Sequence, residues 1–195
     1  GNGSFLELAR SAGWDVMGID PDPAAIDAAK LRGLQVAAGS IQLYEGMSHC
    51  FDAITLSHVI EHLHEPVQVI QAVHRLLKPG GTLFVDTPNI DSKGARLWGR
   101  NWRGLETPRH LVIFSQAALV SLLERTGFES ISIKRRKTVR KSIYLSSLRM
   151  HSGKSPYDKM PRKLPLLMRM RSGLSRTSAA DDEFLTMVAS KRSRL

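Results

Sequence analysis

Apolar residues recur at Phe5, Leu8, Ala9 and Ala12, a spacing that gathers them on one face of a helix. A short strand-like run follows from Trp14 to Ile19 and ends at Asp20. Asp22-Pro23 then marks a helix start, with Asp as N-cap and Pro at the first helical position; the helix runs to about Arg32 and stops at Gly33. Leu34 to Ala38 reads as a strand closed by Gly39-Ser40, and Phe51 to Leu56 as another with Ser57 and His58 at its end. Pro66 opens a helix carrying Val69, Val73, Leu76 and Leu77 on one face. Lys78-Pro79-Gly80-Gly81 is expected to be the turn that ends it, before a strand from Thr82 to Asp86 and then Thr87-Pro88-Asn89. The pattern predicts a polar loop from Ile90 to His110. Ser115 caps a helix that aligns Leu119, Leu122, Leu123 and Thr126 and stops at Gly127. Ile131 and Ile133 alternate with Ser132 and Lys134 as in a strand. Residues 138 to 180 look irregular, interrupted by prolines at 156, 161 and 165, and Glu183 to Ala189 reads as a last strand. Strands alternating with helices predict an α/β fold: a doubly wound, mostly parallel sheet with helices on both faces.

Gly1-Asn2-Gly3 stands directly before the first helix. Glycines there let a ligand approach bare backbone near exposed N–H groups. Asp20, at the end of the next strand, suits a ribose diol, because an ionised carboxylate accepts from both hydroxyls. Such a glycine loop is expected to be fed by a strand, and no residue precedes Gly1 here. The expectation is therefore a fragment lacking its first strand.

Composition narrows the class. A chain of 195 residues suits a single domain, 1–195, with a sizeable core. No apolar run has the length of a membrane span, and no signal peptide is visible. The single cysteine, Cys50, cannot form an internal disulfide, so the cytoplasm is the expected location. No His/Cys cluster has zinc-ligand spacing, and no metal is expected. Residues 1–133 carry 11 basic and 14 acidic groups, a net −3, whereas residues 134–195 carry 17 basic and 4 acidic groups, a net +13. Residues 138–180 thus read as a basic insertion before the last strand. It is either in peripheral contact with an anionic membrane or phosphate-bearing substrate, or a solvated segment. Nucleic acid is not expected, because Tyr157 is the only aromatic residue from 145 to 183.

Taken together, the motifs resemble the class I S-adenosylmethionine-dependent methyltransferases, especially the small bacterial ones. The resemblance rests on Gly1-Asn2-Gly3, Gly18-Ile19-Asp20, Phe51-Asp52-Ala53-Ile54, Glu61-His62-Leu63 and Leu76 to Gly81. Pro108-Arg109-His110-Leu111 and Leu123 to Phe128 add to it, so that it covers most of residues 1–135. It implies a Rossmann-like fold whose last strand, Glu183 to Ala189, is antiparallel. The family pattern has an acidic residue and another glycine just before the position of Gly1, which this sequence does not include. A nicotinamide dehydrogenase fits less well, since its third glycine position falls on Leu6 or Ser4.

The resemblance implies S-adenosylmethionine as cofactor, held by Gly1, Asn2, Gly3, Asp20, Ser40, Ser57 and His58. Ser40 departs from the acid often found where the adenine amine would lie. His62 and His110 are the candidates for a general base. Trp102, Arg109 and His110 are the candidates for the acceptor, in a loop whose tryptophans either bind a flat or anionic molecule or pin the loop to the core. The acceptor implied is a small molecule or a glycan- or lipid-linked intermediate. The competing class is a binding protein that keeps the fold and has lost the reaction.

Overall fold

The computed structural model describes residues 1–135, 140–157 and 181–193, which form two compact units, Gly1–Met47 and Ser48–Leu195. In the first unit, strand β1 (Met17–Asp20) pairs in parallel with β2 (Gln35–Ala38), from Met17 opposite Gln35 to Asp20 opposite Ala38. Helix α2 (Pro23–Lys30) connects them, capped as predicted: the Asp22 side chain accepts from the Ala24 amide at 2.9 Å. Ile26 and Ala29 of α2 are buried, as is Leu34 after it. Helix α1 (Ser4–Ser11) forms where the spacing predicts, but Phe5 and Leu8 on its apolar face are exposed. Trp14 donates its amide to Ala9 O at 3.1 Å and so finishes the turn after α1; the strand starts at Met17 instead of Trp14.

The second unit holds β3 (Phe51–Ser57), α3 (Pro66–Leu76), β4 (Leu77–Pro88), α4 (Lys93–Trp98), α5 (Gln116–Arg125), β5 (Phe128–Lys134), α6 (Arg140–His151) and β6 (Phe184–Lys191). Its sheet has the order β3-β4-β6-β5. β3 and β4 are parallel, and β6 runs antiparallel to both β4 and β5, so the last strand alone opposes the others. This is the α/β class expected, with β6 as the antiparallel strand. Ile70, Val73 and Leu76 of α3, Leu83 and Val85 of β4, Leu119 and Leu123 of α5 and Met187 of β6 are buried together in the core. Each such side chain contributes about 1.5–3 kcal/mol of apolar burial. Lys191 closes the C-terminal end of α3, its ammonium donating to His74 O at 2.7 Å and Leu77 O at 2.8 Å.

Three expectations are corrected. Lys78 to Gly81 is not a turn separating helix from strand. β4 begins at Leu77, already opposite Phe51, and the next paired positions are Ala53 and Thr82, so the extra residues bulge out of one continuous strand. Ile90 to His110 is not all loop. Ser92 accepts from the Ala95 amide at 3.0 Å and starts α4, and single 3-10 turns follow at Gly99–Asn101 and Arg103–Leu105. The stretch 138–180 is not irregular throughout, since it contains α6, whose Tyr144 and Leu145 pack with Trp98 and Trp102. Buried Ser146 and Ser147 interleave with those apolar residues, which blurs the stripe that would have announced a helix. Residues 158–180, with Arg169 and Arg171, lie outside the described residues. Among the described residues, no helix is long and apolar enough to cross a membrane.

Candidate functional site

In the first unit the predicted residues gather at the carboxyl ends of β1 and β2, where open α/β sheets bind ligands. Asp20 Oδ1 accepts from the Asp22 amide at 2.9 Å, its Oδ2 meets the amino group of Gly1, and its carbonyl accepts from the Gly39 amide at 3.0 Å. Burial opposes ionisation of the Asp20 carboxyl, and the hydrogen bond from the Asp22 amide favours it. Ser40 follows β2, opens the single turn Ile41–Tyr44 and donates to the Gln42 side chain. A carboxylate at this strand end is chemically suited to accept hydrogen bonds from a ribose diol.

Asn2 and Gly3 are placed differently from the expectation. The Asn2 carboxamide oxygen accepts from the Ser4 amide at 3.2 Å and the Ser4 hydroxyl at 2.9 Å, a local turn that leads into α1, whose N-cap is Gly3. Gly3 has φ +83°, and a Cβ there would lie 2.5 Å from Leu34 Cδ1 and 2.9 Å from Ala29 Cβ. Its missing side chain makes room for the protein's own core as well as permitting the left-handed backbone.

In the second unit, Ser57 ends β3 opposite Asp86, and His58 follows with φ +54°. The His58 ring lies between two carboxylates without solvent exposure: Nδ1 is 3.2 Å from Glu61 Oε1, and Nε2 is 3.5 Å from Asp86 Oδ2. Thr87 donates to Glu61 Oε2 at 2.9 Å, and Thr186 donates to Asp86 Oδ1 at 2.5 Å. Burial pushes the Glu61 carboxyl up, but hydrogen bonds from His58, from its own amide and from Thr87 prevail and hold it below the ordinary value. The Glu61 carbonyl also receives the amides of Leu111 at 2.8 Å and Val112 at 3.2 Å, which fastens the Pro108-Arg109-His110 loop beside it.

His62 and His110 are brought together, their rings 4.8 Å apart edge to face. Nδ1 of His62 is 2.9 Å from Arg109 O, and Nδ1 of His110 is 2.8 Å from Gly104 O. A carbonyl only accepts, so each Nδ1 carries a hydrogen; Nε2 of His110 stands 3.6 Å from Glu106 Oε2. Burial pushes His110 below its ordinary value, with the nearby His62 adding to the effect, although the Gly104 carbonyl, Glu61 and Glu106 pull it up. Ligand-type atoms of Glu61, His62 and His110 lie within 4.8 Å of one another, the one such trio among the described residues, although both Glu61 oxygens are already bonded to His58 and Thr87.

The acceptor-side candidates separate. Trp102 is 1% exposed, and its indole N–H donates to the buried Glu183 at 2.8 Å. It therefore supports the loop from inside and offers no face to an acceptor, which corrects that expectation. Arg109 is exposed, with its guanidinium 3.1 Å from Glu106. Glu106 is the hub of this loop: it takes Arg103 through both oxygens, at 2.7 and 3.0 Å, and Tyr157 at 2.8 Å. Although burial opposes ionisation, Arg103 and Tyr157 hold its carboxyl down at about 2. Asp86, Glu183 and Tyr157 were not picked out from sequence. Their partners lie tens of residues away, and only the position of Asp86 at a strand end gave any signal.

Residues 1–133 match the sequence profile described as Methyltransferase domain. The ubiquinone biosynthesis O-methyltransferase of Pseudomonas aeruginosa (strain UCBPP-PA14) is 35% identical over 100 residues, covering 48% of this chain and 43% of that protein. The protein of the same name from Paracidovorax citrulli is 29% identical over 158 residues, covering 70% of this chain and 66% of that protein. The chain thus spans less than two thirds of these relatives' length. Among solved structures, a SAM-dependent methyltransferase from Archaeoglobus fulgidus superimposes with a TM-score of 0.68 at 18% identity, covering 98% of this chain and 82% of that one. A possible histamine N-methyltransferase from Thermotoga maritima gives 0.64 at 18% identity, covering 98% and 78%. At that identity the likeness is one of fold.

Proposed function

Because the chain belongs to the methyltransferase domain family, we propose that it is an S-adenosylmethionine-dependent methyltransferase acting on a small-molecule acceptor, with a hydroxyl oxygen as the methylated atom. The observation that carries the donor side is the Asp20 carboxylate at the carboxyl end of β1, beside the Gly39-Ser40 segment that follows β2. Within the first unit, Asp20 would hold the ribose hydroxyls and Ser40 would lie on the adenine side. When bound, S-adenosylmethionine supplies a methyl group activated by its sulfonium.

The work left to the protein is to orient the acceptor, exclude water and accept the hydroxyl proton. His110 Nε2 is the base we favour, because its Nδ1–H is fixed on a backbone carbonyl and burial keeps the ring neutral. His62, oriented in the same way, is the second candidate. The choice of oxygen follows the O-methyltransferase relatives. The finer alternative of a glycan- or lipid-linked acceptor is favoured by the net charge of +13 over residues 134–195.

Calorimetric titration with S-adenosylhomocysteine tests the donor side: saturable binding is expected, and its absence in a folded chain overturns the assignment. Transfer of labelled methyl groups to a panel of phenolic, carboxylate and amine acceptors tests the rest. Labelling of protein or RNA with no small acceptor labelled would reject it.

A further inference from the structure

Glu106 carries one negative charge, and Arg103 already answers it with a two-pronged contact: Nη1 to Oε2 at 2.7 Å and Nη2 to Oε1 at 3.0 Å. Such fork-to-carboxylate pairing uses the charge and geometry of both groups. Oε1 nevertheless takes two more donors, the Tyr157 hydroxyl at 2.8 Å and Arg109 Nη1 at 3.1 Å. Three donors on one carboxylate oxygen exceed its two lone pairs. The longest of the three contacts is that of Arg109, whose side chain is 69% exposed, against 18% for Arg103. The group therefore has a surplus positive charge, and it sits on the most exposed and most loosely held guanidinium.

The backbone that presents this cation is well fixed. Glu106 adopts a left-handed conformation with φ +37°, and its carbonyl accepts from the amides of Arg109 at 2.8 Å and His110 at 3.3 Å. The Arg109 carbonyl takes His62 Nδ1 at 2.9 Å, and the next two amides, Leu111 and Val112, bond to Glu61. Arg109 is thus tied by its own main chain to His62 and His110. Arg103 is held from its other side as well, with its guanidinium 5.1 Å from the Tyr157 ring and its amide donating to Ser147 Oγ at 2.9 Å.

We propose that Arg109 is an anion-binding residue for the acceptor: its guanidinium leaves Glu106 and pairs with a carboxylate or phosphate group on the molecule presented to His62 and His110. The exchange costs little, since Glu106 keeps Arg103 and Tyr157 and stays ionised. It also selects, because a neutral acceptor leaves Arg109 where it is. The inference deepens the acceptor assignment above and rests on it.

The test uses the chain labelled with 15N-arginine at low ionic strength, titrated with benzoate, phenyl phosphate and benzyl alcohol. The expected result is a saturable shift of the Arg109 Nε–H signal with one or both anions and none with the alcohol. A response to benzoate alone assigns a carboxylate, and one to phenyl phosphate alone assigns a phosphate. Arg109→Gln should weaken anion binding by about tenfold or more. Lys78→Gln, which removes a cation paired with Asp52, should leave it unchanged. No saturable shift overturns the proposal, as does an equal loss in Lys78→Gln, which would mean unspecific attraction. S-adenosylhomocysteine binding measured on the same samples separates failure of this inference from failure of the methyltransferase assignment.

Discussion

Nδ1 of His58 stands 3.2 Å from Oε1 of Glu61, so a half-exposed imidazole at the end of β3 is held by a carboxylate that sees no solvent. Glu61 also receives Thr87 on its other oxygen and two loop amides on its carbonyl. Glu61→Gln should cost about 1–3 kcal/mol, since it removes the charge and turns one acceptor into a donor facing a donor. Glu61→Ala should cost about 3–5 kcal/mol. Urea unfolding at neutral pH measures both. Because the folded carboxyl lies below its ordinary value, its contribution is complete above the unfolded value and fades as pH falls through the folded one.

Glu106 gives a sharper window in pH. Its carboxyl drops from 4.5 to about 2 on folding, so the ionised form contributes on the order of 3 kcal/mol at neutral pH. That contribution is full above about pH 5 and is lost progressively as the pH falls towards 2. Stability measured against pH should therefore decline over this range, and Glu106→Gln should flatten the decline. A variant as acid-sensitive as the parent would remove Glu106 from the account.

His110 should set the acid limb of the rate profile. With its pKa held below 6.5, the base is already free at neutral pH. kcat/KM should rise with pH on the acid side of that value and be level above it. His110→Gln should lower kcat by about a hundredfold or more and leave S-adenosylhomocysteine affinity unchanged. A full loss in His62→Gln with little change in His110→Gln would move the role to His62.

Asp20→Ala should weaken S-adenosylhomocysteine binding by about 1.5–3 kcal/mol, the range for a charged hydrogen bond left unmade. Calorimetry gives the difference directly, and circular dichroism checks that the variant is folded. Unchanged affinity would return Asp20 to the part it already plays locally, accepting the Asp22 amide.

Local chemistry was legible where one segment decides its own structure. Pro66 starts α3, Ser115 caps α5 through the Ala118 amide, and Asp22 caps α2, all as the residues predict. Long-range packing was not legible. Gly3 reads as a ligand loop, yet its vacant side faces Leu34 and Ala29, which a local window does not bring together. Trp102 reads as an aromatic surface, yet it packs with Tyr144 and Leu145, and its buried N–H is taken by Glu183, 81 residues away. The Glu61–His58–Asp86 arrangement needs β3 and β4 in register, and Glu106 needs Tyr157, 51 residues further on. Within the candidate site, residue types and strand ends were readable, whereas the hydrogen-bond partners that fix each protonation state were not.

The bulge in β4 has one further consequence. Phe51 faces Leu77 at one end, whereas Ala53 to Ser57 run in step with Thr82 to Asp86 at the other. The surplus residues are absorbed around Lys78 to Gly81, where Lys78 reaches Asp52 at 2.7 Å and Gly81 lies close against two main-chain carbonyls. Changes of length at that end need not propagate along the ladder, because the irregular pairing acts as a slack joint. The opposite end, where Ser57 meets Asp86, is then free to keep its alignment while the amino-terminal end of the strand varies. This makes exposed Pro79 and Gly80 the natural place to graft a tag, a loop or a reporter, between the ion-paired Lys78 and the buried Gly81.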